Sequence, residues 1–118
     1  LEVIAEMTTL LRRAGVASPL VALKRFTTPS LAPLGFVAPG VSIAIDLPLD
    51  GVSTHALLRR LAVLTVEAGG AVYLAKDSGG MNPDLAARAY PRAAEALAHR
   101  DPASHPTILV RLFPELLR

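Results

Sequence analysis

The beginning of the chain repeats apolar side chains at the spacing of an amphipathic helix. Glutamates come early in this stretch, while Arg12 and Arg13 come late, an order that suits the helix dipole. Gly15 follows as a natural helix stop. The apolar positions recur at i, i+3, i+4 and i+7 and are Val3, Ile4, Met7, Leu10, Leu11 and Ala14. The pattern predicts a first helix that packs one apolar stripe on a sheet.

Three later stretches, residues 20–26, 41–47 and 71–75, have the patterns of β-strands. In the second of them every other residue is apolar, which predicts a core face made of Val41, Ile43, Ile45 and Leu47. Residues 27–40 are rich in Pro and Gly and predict a long irregular connection, and such loops are often functional.

The remaining pattern predicts further helices. A leucine stripe, Leu57, Leu58, Leu61 and Leu64, marks the second helix, and Gly69-Gly70 ends it. Asn82-Pro83 opens a third helix, Pro91 interrupts the helical stretch, and Asp101-Pro102 closes it. The tail, residues 107–118, alternates too loosely to be assigned. The order α-β-β-α-β-α predicts one α+β domain over residues 1–118, with ferredoxin-like elements: a small, mostly antiparallel sheet with helices on one face.

The composition disfavours several classes of protein function. Hydrophobic residues make up 52% of the chain and mean hydropathy is +0.44, yet no apolar run approaches the roughly 20 residues that span a bilayer. The excess predicts a surface that another domain or chain covers, and association when that partner is missing. A net charge of +2 without a basic block disfavours nucleic-acid binding. The absence of cysteine excludes disulfides and thiolate metal sites, and the scattered histidines predict no metal.

The start of the chain also carries information. Leu1 leads directly into the helical pattern, and no signal-peptide pattern is present. These features predict a fragment or processed product of a longer protein, in a cytoplasmic or membrane-peripheral location.

One face of the predicted sheet carries a suggestive set of side chains. By alternation Lys24, Phe26, Ser42 and Ala44 share the face opposite the apolar one. A cation beside an aromatic ring and small side chains can line a polar pocket, and it can equally form the solvated face of a half-exposed sheet. No phosphate-binding loop, nucleophile elbow or paired-carboxylate pattern decides between the two.

Segments in a particular order carry a resemblance to a known family. They are residues 22–26 (ALKRF), 38–48 (APGVSIAIDLP) and 69–78 (GGAVYLAKDS), followed by a helix that ends in residues 89–92 (AYPR). Over about residues 1–102 this set resembles the C-terminal substrate domain of FAD-linked oxidases of the vanillyl-alcohol oxidase superfamily. Within it, decaprenylphosphoryl-ribose 2-oxidases and aldonolactone oxidases are the most similar.

The resemblance implies roles for individual residues. Lys76 matches a lysine near the flavin and the substrate, where a cation stabilises negative charge as the flavin accepts hydride. Tyr73 matches an aromatic residue close by. The positions that match the substrate-facing side are Lys24, Phe26, Ser42 and Ala44, while Val72 and Leu74 are expected to be core. Since Lys76 follows Tyr73 by three positions, it must lie at the end of the third strand or after a bulge.

The implied function is the substrate-side portion of an FAD-dependent oxidoreductase that oxidises a hydroxyl of a sugar or sugar derivative. FAD would be bound mainly by an FAD-binding domain, in cis or in trans, that this chain does not contain, so the chain alone is expected to be inactive. The tail, residues 99–118, lacks the usual Ser-Asp-containing ending of the family. Two alternatives stay open: a stand-alone ligand-binding or dimerisation module without redox activity, and a degenerate remnant of an oxidase. Convergence of Lys76, Lys24 and Phe26 on one concave patch would favour the oxidoreductase, and their dispersal would favour the binding module.

Overall fold

A computed structural model describes residues 2–48, 52–76, 80–98 and 111–117. The elements are α1 (Glu2–Arg13), β1 (Val21–Phe26), β2 (Gly40–Ile45), α2 (Val52–Glu67), α3 (Pro83–Ala89), α4 (Ala93–Ala98) and a 3₁₀ turn, η1 (Pro114–Leu117). The predicted α+β class is confirmed. Several sequence-based predictions concern residues outside the described ones, namely Asp77, Ser78, Asp101-Pro102 and most of the tail from His99 onward.

Helix boundaries follow local chemistry, as predicted. Gly15 adopts the left-handed conformation with φ of 65° directly after α1, and its N–H donates to the Arg12 carbonyl at 3.2 Å. At the start of α3 the Asn82 side chain accepts a hydrogen bond from the Leu85 N–H at 2.9 Å, with Pro83 at the first helical position. Pro91 separates α3 from α4. These boundaries are set by short-range interactions that the sequence already specifies.

The sheet consists, in the described part of the chain, of β1 and β2 paired antiparallel. The predicted third strand is wrong, because residues 71–73 are irregular and residues 74–76 form a turn and a bend. The backbone there has other partners: the Val72 carbonyl accepts a hydrogen bond from the Tyr90 hydroxyl, and the Gly70 N–H donates to the Thr65 carbonyl at 2.8 Å. The backbone of this segment is therefore bonded to α2 and to Tyr90, the residue that follows α3, and not to a neighbouring strand.

The core lies away from the sheet. Its buried side chains come from α2, α3, α4 and the segments around them: Ala62, Val66, Leu74, Met81, Leu85, Ala86, Tyr90, Ala93, Leu112 and Phe113. The predicted core face of β2 is wrong, since Val41 is 48% exposed and Ile43 and Ile45 are only half-buried. The third stretch, which was expected to extend the sheet, instead places Leu74 in the helical core, while Val72 packs against it. The expectation of a core position is therefore confirmed for Leu74, whereas Val72 is half-buried at the edge of the core.

The leucine stripe predicted for α2 is not the most deeply buried side of this helix. Leu57, Leu58, Leu61 and Leu64 are half-buried, whereas Ala62 and Val66 supply the fully buried positions. Helix α2 contacts both α1 and α3, so two partners divide its apolar surface. In α1 the apolar stripe is likewise half-buried, and none of its residues is fully buried. Within the described ranges, no helix combines the length and apolar character needed to cross a membrane.

Candidate functional site

The inner sheet face, defined as the face of Lys24, Phe26, Ser42 and Ala44, has the composition that alternation predicts. Lys24 lies directly opposite Ser42 in the antiparallel register, Phe26 lies opposite Gly40, and Ala44 pairs with Ala22. Cross-strand partners share one face of a sheet, with Cβ atoms about 5 Å apart. Lys24 and Ala44 are exposed, while Phe26 and Ser42 are half-buried. The sheet therefore presents a cation beside a hydroxyl, with an aromatic ring at one end.

An aromatic cluster connects this face to the segment that carries Tyr73. The Phe26 and Phe36 rings meet edge to face, with centroids 6.2 Å apart and an interplanar angle of 87°. The Phe36 and Tyr73 ring centroids are 4.9 Å apart at an angle of 49°. Such geometries are favourable for aromatic pairs. Phe36 was missed by the sequence analysis, although it lies in the Pro- and Gly-rich loop that was expected to be functional.

The loop that carries Phe36 is held by its own backbone. The Ser30 N–H donates to the Val37 carbonyl at 2.8 Å, and the Gly35 N–H donates to the Ala32 carbonyl at 2.9 Å. Gly35 must be glycine here, because a Cβ atom would lie 2.0 Å from the Ser30 Oγ. These contacts fix the path of the chain on both sides of the Phe36 ring.

Arg92 adds a long-range contact to the same loop. Its Nη1 donates to the Leu31 carbonyl at 3.2 Å, and its Nε and Nη2 donate to the Glu95 carboxylate at 2.8 and 2.6 Å. The ion pair with Glu95 is half exposed, so it contributes little stability by itself. Its effect is to orient the guanidinium toward the loop, and the same contact holds the pKa of Glu95 below its usual range.

Tyr90 is bonded to the segment that carries Tyr73. Its hydroxyl donates to the Val72 carbonyl, next to Tyr73, and only 2% of the residue is exposed. Burial raises the pKa of Tyr90 to about 12, because the ionised phenolate would lose its hydration. The family resemblance identified residues 89–92 only as a helix ending. In the structure, Tyr90 is bonded to the segment of Tyr73, and Arg92 is bonded to the loop of Phe36.

Replacing Tyr90 by phenylalanine is expected to lower the free energy of unfolding by about 1–2 kcal/mol at neutral pH, because the Val72 carbonyl loses its partner. The raised pKa also makes this contribution depend on pH. Between pH 10, where the unfolded tyrosine ionises, and the folded pKa of about 12, only the unfolded state loses the proton, so stability falls as pH rises. Urea unfolding of the wild type and Tyr90→Phe across this range measures the difference.

Tyr73→Phe is the matched control, because Tyr73 is the chain's other tyrosine and is 49% exposed. In this variant the alkaline loss of stability should persist, whereas in Tyr90→Phe it should be reduced by about 1 kcal/mol or more. Equal alkaline profiles for the wild type and Tyr90→Phe would contradict the assignment of this titration to Tyr90.

Lys76 lies apart from the aromatic cluster. It is exposed and follows a turn at residues 74–75. The prediction that it ends a third strand or follows a bulge is wrong, because these residues form no strand. In the described part of the chain its ammonium makes no hydrogen bond or ion pair. The structure therefore brings Tyr73 to the inner sheet face through Phe36, but connects Lys76 to it only through the chain.

Two surface grooves lie elsewhere. One, of about 430 Å³, follows the side of α2 and is lined by residues that include Arg59, Arg60 and Glu67. The other, of about 300 Å³, lies between α3, α4 and η1, with Tyr90, Leu112 and Phe113 among its lining residues. None of the predicted site residues lines either of these two grooves.

The chemistry of this surface is that of a binding platform. The exposed part of Tyr73 and the half-buried Phe26 and Phe36 rings offer apolar faces, and Lys24 with Ser42 adds a cation and a hydroxyl. Aromatic faces bind the C–H faces of ring-shaped ligands, and the polar pair can contact their oxygens. Comparison of the chain with models of known protein families and with curated protein sequences finds no match.

Proposed function

We propose that this chain is the substrate-side portion of an FAD-dependent oxidoreductase that oxidises a hydroxyl group of a sugar or sugar derivative. The observation that carries the proposal is the aromatic cluster: Phe36 contacts both Phe26, on the strand of Lys24, and Tyr73, three residues before Lys76. The strand of Lys24 and the segment of Tyr73 are thus adjacent in the fold, whereas in the described part of the chain Lys76 makes no hydrogen bond or ion pair with either.

The roles follow from position and charge. In this proposal Lys24 and Ser42 contact hydroxyl oxygens of the sugar, Phe26 and Ala44 line its apolar side, and Tyr73 lies on the side of the flavin. Lys76 places a positive charge where electron density accumulates during oxidation. When FAD is present it supplies the hydride acceptor, and the hydroxyl proton leaves to a base outside the predicted site residues. Lys76 and Tyr73 are both exposed, so they would be accessible to a flavin that another domain holds.

The proposal is tested by adding that domain. The chain is mixed with a folded FAD-binding domain from a sugar oxidase of the vanillyl-alcohol oxidase superfamily, and FAD binding and flavin absorbance are followed while aldoses and aldonolactones are added. We expect a complex whose flavin is bleached by at least one of these sugars. No complex and no bleaching, with both parts shown to be folded, would count against the proposal.

A matched pair of variants tests the lysine. In the reconstituted complex Lys76→Met should lower the rate of flavin reduction by about tenfold or more, because charge stabilisation in the transition state is lost. Arg88→Met removes an exposed cation from α3, outside the predicted site, and should leave the rate unchanged. Equal rates in the two variants would show that Lys76 has no role in flavin reduction, even if the complex forms and its flavin is bleached.

The groove between α3, α4 and η1 favours the alternative function, a ligand-binding module without redox activity. Its floor contains the buried Tyr90, Leu112 and Phe113, and its volume of about 300 Å³ is within the range of small-molecule sites. Ligand-induced changes in Tyr90 NMR signals in the isolated chain, with no response from Tyr73, would favour this alternative over the oxidoreductase.

A further inference from the structure

The loop between β1 and β2 connects the inner sheet face to the helices. In the described part of the chain, no helix makes an extended contact with either strand. A pair of strands is marginally stable by itself and needs support from other elements. Leu34 and Phe36, both in the loop, pack against the helical core, and Phe36 also contacts Phe26 at the end of β1. The loop therefore determines where the inner sheet face lies relative to the core.

Arg92 joins this loop to the beginning of α4. Its Nε and Nη2 donate to the Glu95 carboxylate at 2.8 and 2.6 Å, and two such bonds fix the plane of the guanidinium. The remaining Nη1 donates to the Leu31 carbonyl at 3.2 Å. Because the Leu31 side chain is 88% exposed, its burial cannot hold this part of the loop, and the contact is made to the backbone instead.

A second contact is made from the same short segment. Tyr90 donates its hydroxyl to the Val72 carbonyl, next to Tyr73. Pro91 separates this tyrosine from the arginine, and its fixed φ limits how the two side chains can move relative to one another. The segment thus holds the backbone on both sides of the Phe36–Tyr73 ring pair, whose centroids are 4.9 Å apart.

We propose that Arg92 is a positioning residue, which holds Phe36 against Tyr73 and so sets the spacing between the inner sheet face and the Tyr73 segment. The ring pair alone does not fix this spacing, because aromatic pairs are favourable at centroid distances from about 4.5 to 7 Å. The half-exposed ion pair of Arg92 contributes little to stability, so its loss should change the spacing more than the unfolding equilibrium. The consequence for catalysis rests on the proposed function: Lys24 and Ser42 would hold the sugar at a defined distance from the flavin.

The spacing is measured in the full chain by NMR, from nuclear Overhauser contacts between the Phe36 and Tyr73 rings. We expect Arg92→Gln to lose these contacts. Arg92→Lys should not restore them, because an ammonium lacks the planar fork that holds the carboxylate and the loop carbonyl together. Arg88→Gln, which replaces an exposed arginine of α3, is the matched control and should keep them. Contacts that persist in Arg92→Gln, return in Arg92→Lys or are lost equally in Arg88→Gln would overturn the proposal.

A second variant keeps the test decisive if Arg92→Gln does not fold, which thermal unfolding of each variant checks. Glu95→Gln leaves the arginine in place but removes the charge that orients it, and should weaken the same ring contacts. Unchanged ring contacts in a folded Glu95→Gln variant would then overturn the proposal.

The catalytic consequence is measured in the complex with the FAD-binding domain. Arg92→Gln should lower the limiting rate of flavin reduction by about tenfold, with FAD affinity unchanged, because the sugar is misplaced relative to the flavin. Arg88→Gln should leave the rate unchanged. A rate that Arg92→Gln does not alter would overturn the role of this spacing in catalysis. If no sugar bleaches the flavin of the wild-type complex, the proposed function fails, while the ring contacts in the isolated chain still decide the role of Arg92.

Discussion

Replacing Gly80 with alanine is expected to lower the free energy of unfolding by about 3 kcal/mol. A Cβ atom at this position would lie 2.3 Å from the Leu58 carbonyl oxygen and 2.8 Å from the Arg59 nitrogen, both in the backbone of α2. A helix backbone cannot move aside as a flexible side chain can, so α2 or the chain around Gly80 must shift. Chemical denaturation of the wild type and Gly80→Ala measures the loss.

Gly15→Ala is the comparison that separates this clash from the general effect of replacing glycine. Gly15 has a φ of 65°, but a Cβ atom there would meet nothing within 4 Å. Its replacement should therefore cost only about 1 kcal/mol, from backbone strain. A cost for Gly80→Ala no larger than that for Gly15→Ala would show that α2 does not pack so closely on Gly80.

Leu112→Ala is expected to lower the free energy of unfolding by a similar amount, about 3 kcal/mol. Leu112 is 1% exposed and is the largest fully buried side chain in the described part of the chain. It lies next to Phe113, whose ring meets Tyr90 edge to face with centroids 6.5 Å apart. Truncation would leave a cavity in the core that also supports the Tyr90 hydroxyl, so both stability and the position of the Tyr73 segment should suffer.

Leu31→Ala provides the matched control, because Leu31 is the same residue type and is 88% exposed. Its replacement should change the free energy of unfolding by less than about 0.5 kcal/mol. Comparable losses for Leu31→Ala and Leu112→Ala would mean that the C-terminal segment does not belong to the core.

The two-stranded sheet has different chemistry on its two faces. The inner sheet face carries Lys24, Ser42 and Phe26 and is joined to Tyr73 by Phe36. The opposite face is aliphatic apart from Arg25. Since neighbouring residues in a strand point to opposite sides, the adjacent cations Lys24 and Arg25 lie on different faces.

Features that depend on short-range interactions could be predicted from the sequence. Gly15, Asn82-Pro83 and Pro91 specify helix ends through the conformations and hydrogen bonds they favour, and each acts as predicted. Strand alternation correctly placed Lys24, Phe26, Ser42 and Ala44 on one face, since that follows from the period of two. The α+β class follows from the same local patterns.

Which apolar surfaces pack together could not be predicted from the sequence and is seen only in the tertiary structure. Residues 71–75 have a strand-like pattern, yet the Tyr90 hydroxyl and the helical core use that segment differently. Leu112, in a tail too irregular to assign, is fully buried, while Val41 in the clearest predicted strand is half exposed. Phe36 joins Phe26 and Tyr73 in one aromatic cluster because its ring contacts both of theirs. Burial and ring contacts depend on long-range packing, which periodicity does not encode.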